Sequence, residues 1–139
     1  MSSRTLEEET KEFLLRLSDI LNVRISKVLD FYFSVRPAKA RILELVEEGG
    51  KIVGIRMAVQ SNTRRDLWHY VMVGRYGAKC TCEANTIRGQ ICRHIIIALI
   101  TWNMVSLIKT GKGVELESLS WLRGTRRVES SEENAGGGI

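Results

Sequence analysis

No stretch of this chain is long and apolar enough to cross a membrane. The longest apolar run, residues 95–100, reaches Ile108 only by crossing Thr101, Asn103 and Ser106, well short of the roughly 20 residues a span needs. The opening MSSRTLEEET lacks a basic stretch followed by an apolar core, so no signal peptide is expected. No internal repeat is visible. There is no Gly-x-x-x-x-Gly-Lys phosphate loop and no Gly-x-Ser-x-Gly elbow, which removes the two most recognisable routes to phosphoryl and acyl transfer. Cysteine is confined to three positions, Cys80, Cys82 and Cys92. An odd, clustered set without a secretory signal points to a reducing compartment, here the cytoplasm, and to metal binding, not disulfides.

Acidic residues are scarce in one place only. Residues 51–109 hold nine Lys and Arg against two Asp and Glu, a balance of +7, whereas residues 1–50 and 110–139 each balance at −1. The whole positive excess therefore lies in the segment that contains the cysteines. A concentrated basic surface attracts polyanions at long range. Candidate nucleic-acid contacts are Arg56, Arg64, Arg65, Arg75, Lys79, Arg88 and Arg93.

What the chain does have is CTCEANTIRGQICRH. Cys80, Cys82, Cys92 and His94 give three sulfurs and one imidazole within fifteen residues, a full tetrahedral set for one structural zinc ion. Cys80 and Cys82 are expected at a strand end. Cys92 and His94 are expected at a helix start, where backbone amides favour the thiolate. A catalytic zinc keeps an open coordination position, and four protein ligands leave none. Glu83 is the only carboxylate inside the motif, and no catalytic constellation is present, so the protein is read as no enzyme. His69, between Trp68 and Tyr70, is expected to be a sheet-face residue.

Around this motif the hydrophobic pattern predicts an α+β fold. Residues 5–33 carry apolar side chains at spacings of three and four, the mark of amphipathic helix. A break is expected at Asn22 and Val23. Pro37 is expected to open a short helix over residues 38–48 that stops at Gly49 and Gly50. Val53, Ile55, Met57 and Val59 then alternate with Gly54, Arg56, Ala58 and Gln60, predicting a strand. A turn over 60–66 leads to a second strand over 67–73 that hairpins onto the first. Gly74 to Gly77 turns the chain into a third strand over 78–82.

Residues 92–109 read as a helix that is apolar all round, so it needs cover on several sides. Ile97, Ile100, Trp102, Met104 and Ile108 are the candidate partner-facing residues, for another subunit or a second copy of the chain. Residues 114–122 contain Leu116, Leu119, Trp121 and Leu122, enough to dock. Residues 124–139 have the composition of a disordered tail. This organisation predicts an N-terminal helical region (1–50), a zinc-binding domain (51–109) and a docking segment with tail (110–139).

The stretch CTCEANTIRGQICRHIIIAL, preceded by WHYVMVGRYGAK, resembles the SWIM zinc-finger domain. Its pattern is Cys-x-Cys, a gap, then Cys-x-His leading into an apolar helix, and Cys80, Cys82, Cys92 and His94 match those four positions. The resemblance implies a ββα zinc module for contacts with DNA or protein. In size, and in the order of a helical start, ARILELVEEGG, a strand pair and then the finger, the chain is similar to the SWIM subunits of Shu-type recombination-mediator complexes. That similarity implies a RecA-family recombinase paralogue as partner and a role in DNA recombination or repair.

Overall fold

The computed structural model describes residues 5–33, 39–61, 64–82, 85 and 91–122. Helices α1 (Leu6–Leu21) and α2 (Ile25–Phe33) are followed by β1 (Ala40–Glu48), β2 (Lys51–Gln60), β3 (Trp68–Gly74) and β4 (Gly77–Cys80). Helix α3 (Arg93–Thr110) and a 3-10 turn at Leu116–Ser118 complete the described chain. The class is α+β, as the pattern predicts.

Thr5 starts α1 with a capping box: its hydroxyl accepts the Glu8 N–H, and the Glu8 carboxylate accepts the Thr5 N–H, each at 3.0 Å. Asn22 ends the helix in the left-handed region, at φ 56° and ψ 45°, where the sequence places the break. Asparagine tolerates that conformation better than most residues.

The four strands form one antiparallel meander in the order β1-β2-β3-β4. The expected hairpin of β2 and β3 is present, in register from Gly54 opposite Gly74 to Gln60 opposite Trp68. β1 is a correction. The helix expected over 38–48 is a strand from residue 40 onward, paired with β2 from Ala40 opposite Val59 to Glu48 opposite Lys51. Its expected start at Pro37 lies outside the described residues.

The reason is in the two glycines. Gly49 and Gly50 have φ of 56° and 78°, the left-handed pair of a two-residue type I′ turn, so they close a hairpin. Pairing with β2 then overrides the helical propensity of Leu and Glu in RILELVEE. A Cβ at Gly50 meets no atom within 4 Å, so the cost of a side chain there is backbone strain alone. We expect Gly50→Ala to lower stability by about 1–2 kcal/mol. An unchanged urea midpoint would contradict the left-handed assignment.

One face of the sheet carries the three described helices. α3 packs on β2, β3 and β4, while α1 and α2 pack on α3. The core between them includes Leu17, Val28, Ile55, Val59, Val73, Ile95, Ile96 and Leu99, all fully buried. Leu116, Leu119 and Leu122 close the remaining side. Two indoles tie the layers together. Trp102 donates to the Ile52 carbonyl and Trp121 to the Gly74 carbonyl, each at 2.8 Å. Arg16 on α1 pairs with Glu117, fastening the docking segment to the helical layer. No described helix is long and apolar enough to cross a membrane. The expected tail at 124–139 lies outside the described residues.

Candidate metal centre

β4 ends on Cys80, and the chain bends immediately through Cys82. Asn85 pins this bend from both sides. Its side-chain oxygen accepts the Cys80 N–H at 2.9 Å, and its own N–H donates to the Cys82 carbonyl at 3.2 Å. Cys92 is the N-cap of α3. Its carbonyl accepts the N–H groups of Ile95 and Ile96, while its side chain makes no capping bond. The Cys92 sulfur is therefore available at the positive end of the helix, and His94 follows in the first turn.

The four donor atoms of Cys80, Cys82, Cys92 and His94 all lie within 4.8 Å of one another. Every one of these residues is buried, with Cys92 fully so. A tetrahedral zinc with arms of about 2.3 Å to sulfur and about 2.0 Å to nitrogen has a sulfur–nitrogen edge of roughly 3.5 Å. Cys80 Sγ and His94 Nδ1 stand 3.5 Å apart, so this edge matches the ion, with Nδ1 turned toward the Cys80 sulfur. Four protein donors complete the coordination, the arrangement of a structural site.

Crowding of the sulfurs reinforces this fit. Hydrogen bonds to the Cys82 sulfur, from Cys80 first and then Cys92, lower its pKa. The Cys80 thiol is pushed up to about 12, chiefly by donating a hydrogen bond to Cys82 and further by burial. Cys92 is also raised, by its hydrogen bonds to Cys80 and Cys82 and by burial. Bound zinc requires all three as thiolates, so loading must displace the protons on Cys80 and Cys92. Zinc affinity is thus expected to fall as pH falls. A competition titration with a chromophoric chelator between pH 8 and about pH 5.5 checks this, and a pH-independent affinity would contradict it.

Two neighbours were not anticipated. The His69 ring lies against the His94 ring, with centroids 4.9 Å apart, so His69 is a sheet residue that also walls the metal site. Asn85 gave no signal beyond the ordinary preference of asparagine for local turns.

The comparisons with known proteins agree with this geometry. Residues 71–103 match the family model of the SWIM zinc finger. This segment is similar to SWIM zinc fingers. No curated protein matches the chain, and no solved structure does. The SWIM match spans β3 from Val71, β4, the four donors and the first half of α3. One zinc ion held by Cys80, Cys82, Cys92 and His94 follows from the match and the donor geometry together.

The other expected site residues are dispersed. Arg56 on β2 and Lys79 on β4 share the exposed face of the sheet, in one cross-strand row with Met72. Arg64 and Arg65 lie in the β2–β3 turn, and Arg75 lies in the β3–β4 hairpin. That puts them at opposite ends of β3, about 20 Å apart. Arg56 pairs with Glu44 at 3.0 Å, Arg64 with Asp66 at 3.7 Å and Arg75 with Glu48 at 3.6 Å. These pairs are well exposed and weak enough for a stronger anion to displace. Arg93 is half-buried at the start of α3, and Arg88 lies outside the described residues.

Of the apolar candidates on α3, Ile97, Ile100 and Trp102 are buried within the chain itself. The helix that carries them packs on β2, β3, β4, α1 and α2, and Ile100 and Trp102 belong to the core. Met104 is partly covered, and Ile108 is exposed.

Proposed function

We propose that this protein is a non-enzymatic SWIM adaptor acting in DNA recombination or repair, working in the cytoplasm and holding a RecA-family recombinase paralogue. The observation that carries the non-catalytic part is the closed donor set: four buried protein ligands leave the ion no open corner for a substrate. What remains for such a zinc is to fix β4 against α3 and so shape a binding surface. The partner and the process follow from the likeness to Shu-type SWIM subunits.

The helix α3 is an unfavourable docking face, since its apolar residues are mostly spent internally. The edge strand β1 is a better one. Ile42 is 46% and Leu43 is 47% exposed, and an edge strand offers unpaired backbone groups to a partner strand.

Affinity capture from the native host with the zinc-loaded chain is expected to retain a RecA-family ATPase. Leu43→Glu is expected to weaken that capture at least tenfold. Retention of other proteins with no RecA-family member would sink the partner assignment.

A second reading, a SWIM-type nucleic-acid-binding regulator, draws support from the +7 balance of residues 51–109. Its mark is steep salt dependence, about 0.9 log units of affinity per neutralised duplex phosphate per log unit of salt. Binding indifferent to salt would count against it.

A further inference from the structure

We infer that the open face of the four-stranded sheet is a stacking platform for single-stranded nucleic acid. This inference rests on the nucleic-acid reading above and names its substrate class and its surface. The helices gather on the opposite face of the sheet, and among the described residues no helix packs on this one. Strand alternation aims Tyr70 and Met72 of β3 outward, with Trp68 in the same register, because Val71 and Val73 are buried in the core and His69 lies against the His94 ring on the other face. Tyr70 is 55% and Met72 47% exposed, an unusual placement for large apolar side chains on a central strand unless they meet a ligand.

The surroundings select an anionic occupant with flat, unpaired bases. Arg41 on β1 lies over the Trp68 ring at 5.1 Å. Arg56 and Lys79 flank Met72 in adjacent strands. Together these cations outnumber Glu44, the acid on this face that Arg56 pairs with at 3.0 Å.

Leu43, Arg56, Tyr70, Met72, Lys79 and Thr81 line a groove of about 560 Å³ along the face. Successive outward residues on β3 are about 6.7 Å apart, close to the reach of one extended nucleotide. Aromatic faces between cations bind unpaired bases with little sequence preference. A duplex hides its base faces, so the aromatic contacts favour a single strand.

The test uses the zinc-loaded full chain and fluorescein-labelled oligothymidylate and oligouridylate of about 12 nucleotides, with a DNA duplex of equal length. Anisotropy titrations should show tighter binding to the single strands than to the duplex. The two single strands tell DNA from RNA as the natural source. Tyr70→Ala should weaken single-strand binding roughly 5- to 150-fold. Tyr70→Thr, a β-branched residue that keeps the strand, should weaken it similarly, and Tyr70→Phe should restore it. Lys79→Gln should reduce the salt slope by about 0.7.

Equal or tighter duplex binding, or affinity indifferent to Tyr70→Ala and Tyr70→Thr, would overturn the platform. If Arg64→Ala and Arg65→Ala then weaken binding, the broader nucleic-acid reading survives without it. No binding to any of the three probes at low salt would sink both.

Discussion

Cys80→Ser or His94→Ala is expected to abolish zinc retention and to unfold most of the sheet–α3 unit. The magnitude follows from comparing two energies. Structural zinc contributes about 10–16 kcal/mol in small zinc modules, whereas a whole domain of this size is stable by about 5–15 kcal/mol. Removing one ligand also leaves buried sulfurs facing one another without the cation that holds them as thiolates. The ligands sit at the end of β4 and the first turn of α3, so their loss uncouples the outer hairpin from the helix that backs it. The α1–α2–α3 contact would retain some helical signal. Near-ultraviolet circular dichroism and zinc content of each variant give the readout. A variant that has lost zinc yet melts cooperatively within a few degrees of the parent would refute this.

Leu17→Ala should cost about 2–5 kcal/mol, a fall in melting temperature of roughly 8–20 °C for a chain of this size. Leu17 is fully buried on α1, and α1 packs on α3. The substitution opens a cavity where the N-terminal helices meet the helix that follows the finger. This prediction separates two ways of covering an all-apolar helix. If α1 supplies the cover within one chain, the loss is large and independent of protein concentration. If a second copy supplied it, Leu17→Ala would cost little, and stability would rise with concentration. A differential scanning experiment at several concentrations distinguishes them.

The zinc ligands were legible from sequence because coordination chemistry restricts residue type and spacing more tightly than packing does. The β2 alternation was legible for a related reason. Ile55, Met57 and Val59 must all face one buried side, and a slip of one residue would expose all three. The break at Asn22 was legible because few residues accept its left-handed backbone.

β1 was missed because Gly49 and Gly50 carry two meanings. Glycine after an amphipathic segment stops a helix, but paired glycines between two strand-length runs close a type I′ hairpin. Local pattern in RILELVEE does not decide between them; the long-range pairing with Lys51–Gln60 does. The partner-facing role expected for Ile97, Ile100 and Trp102 missed for the complementary reason. An all-apolar helix declares that it needs cover, and the sequence does not say that the sheet, α1 and α2 supply it. Asn85 and His69 support the site through geometry alone, Asn85 by backbone hydrogen bonds and His69 by ring contact. No spacing rule announces either contact.

The central claim is that one closed, sulfur-rich zinc site organises this molecule. X-ray absorption spectroscopy at the zinc edge, on protein purified without added metal and assayed for zinc content, addresses it directly. The predicted result is one zinc per chain with a first shell of three sulfurs and one nitrogen, at about 2.3 Å and about 2.0 Å. A metal-free protein with native spectra, or a first shell containing a water oxygen, would contradict it.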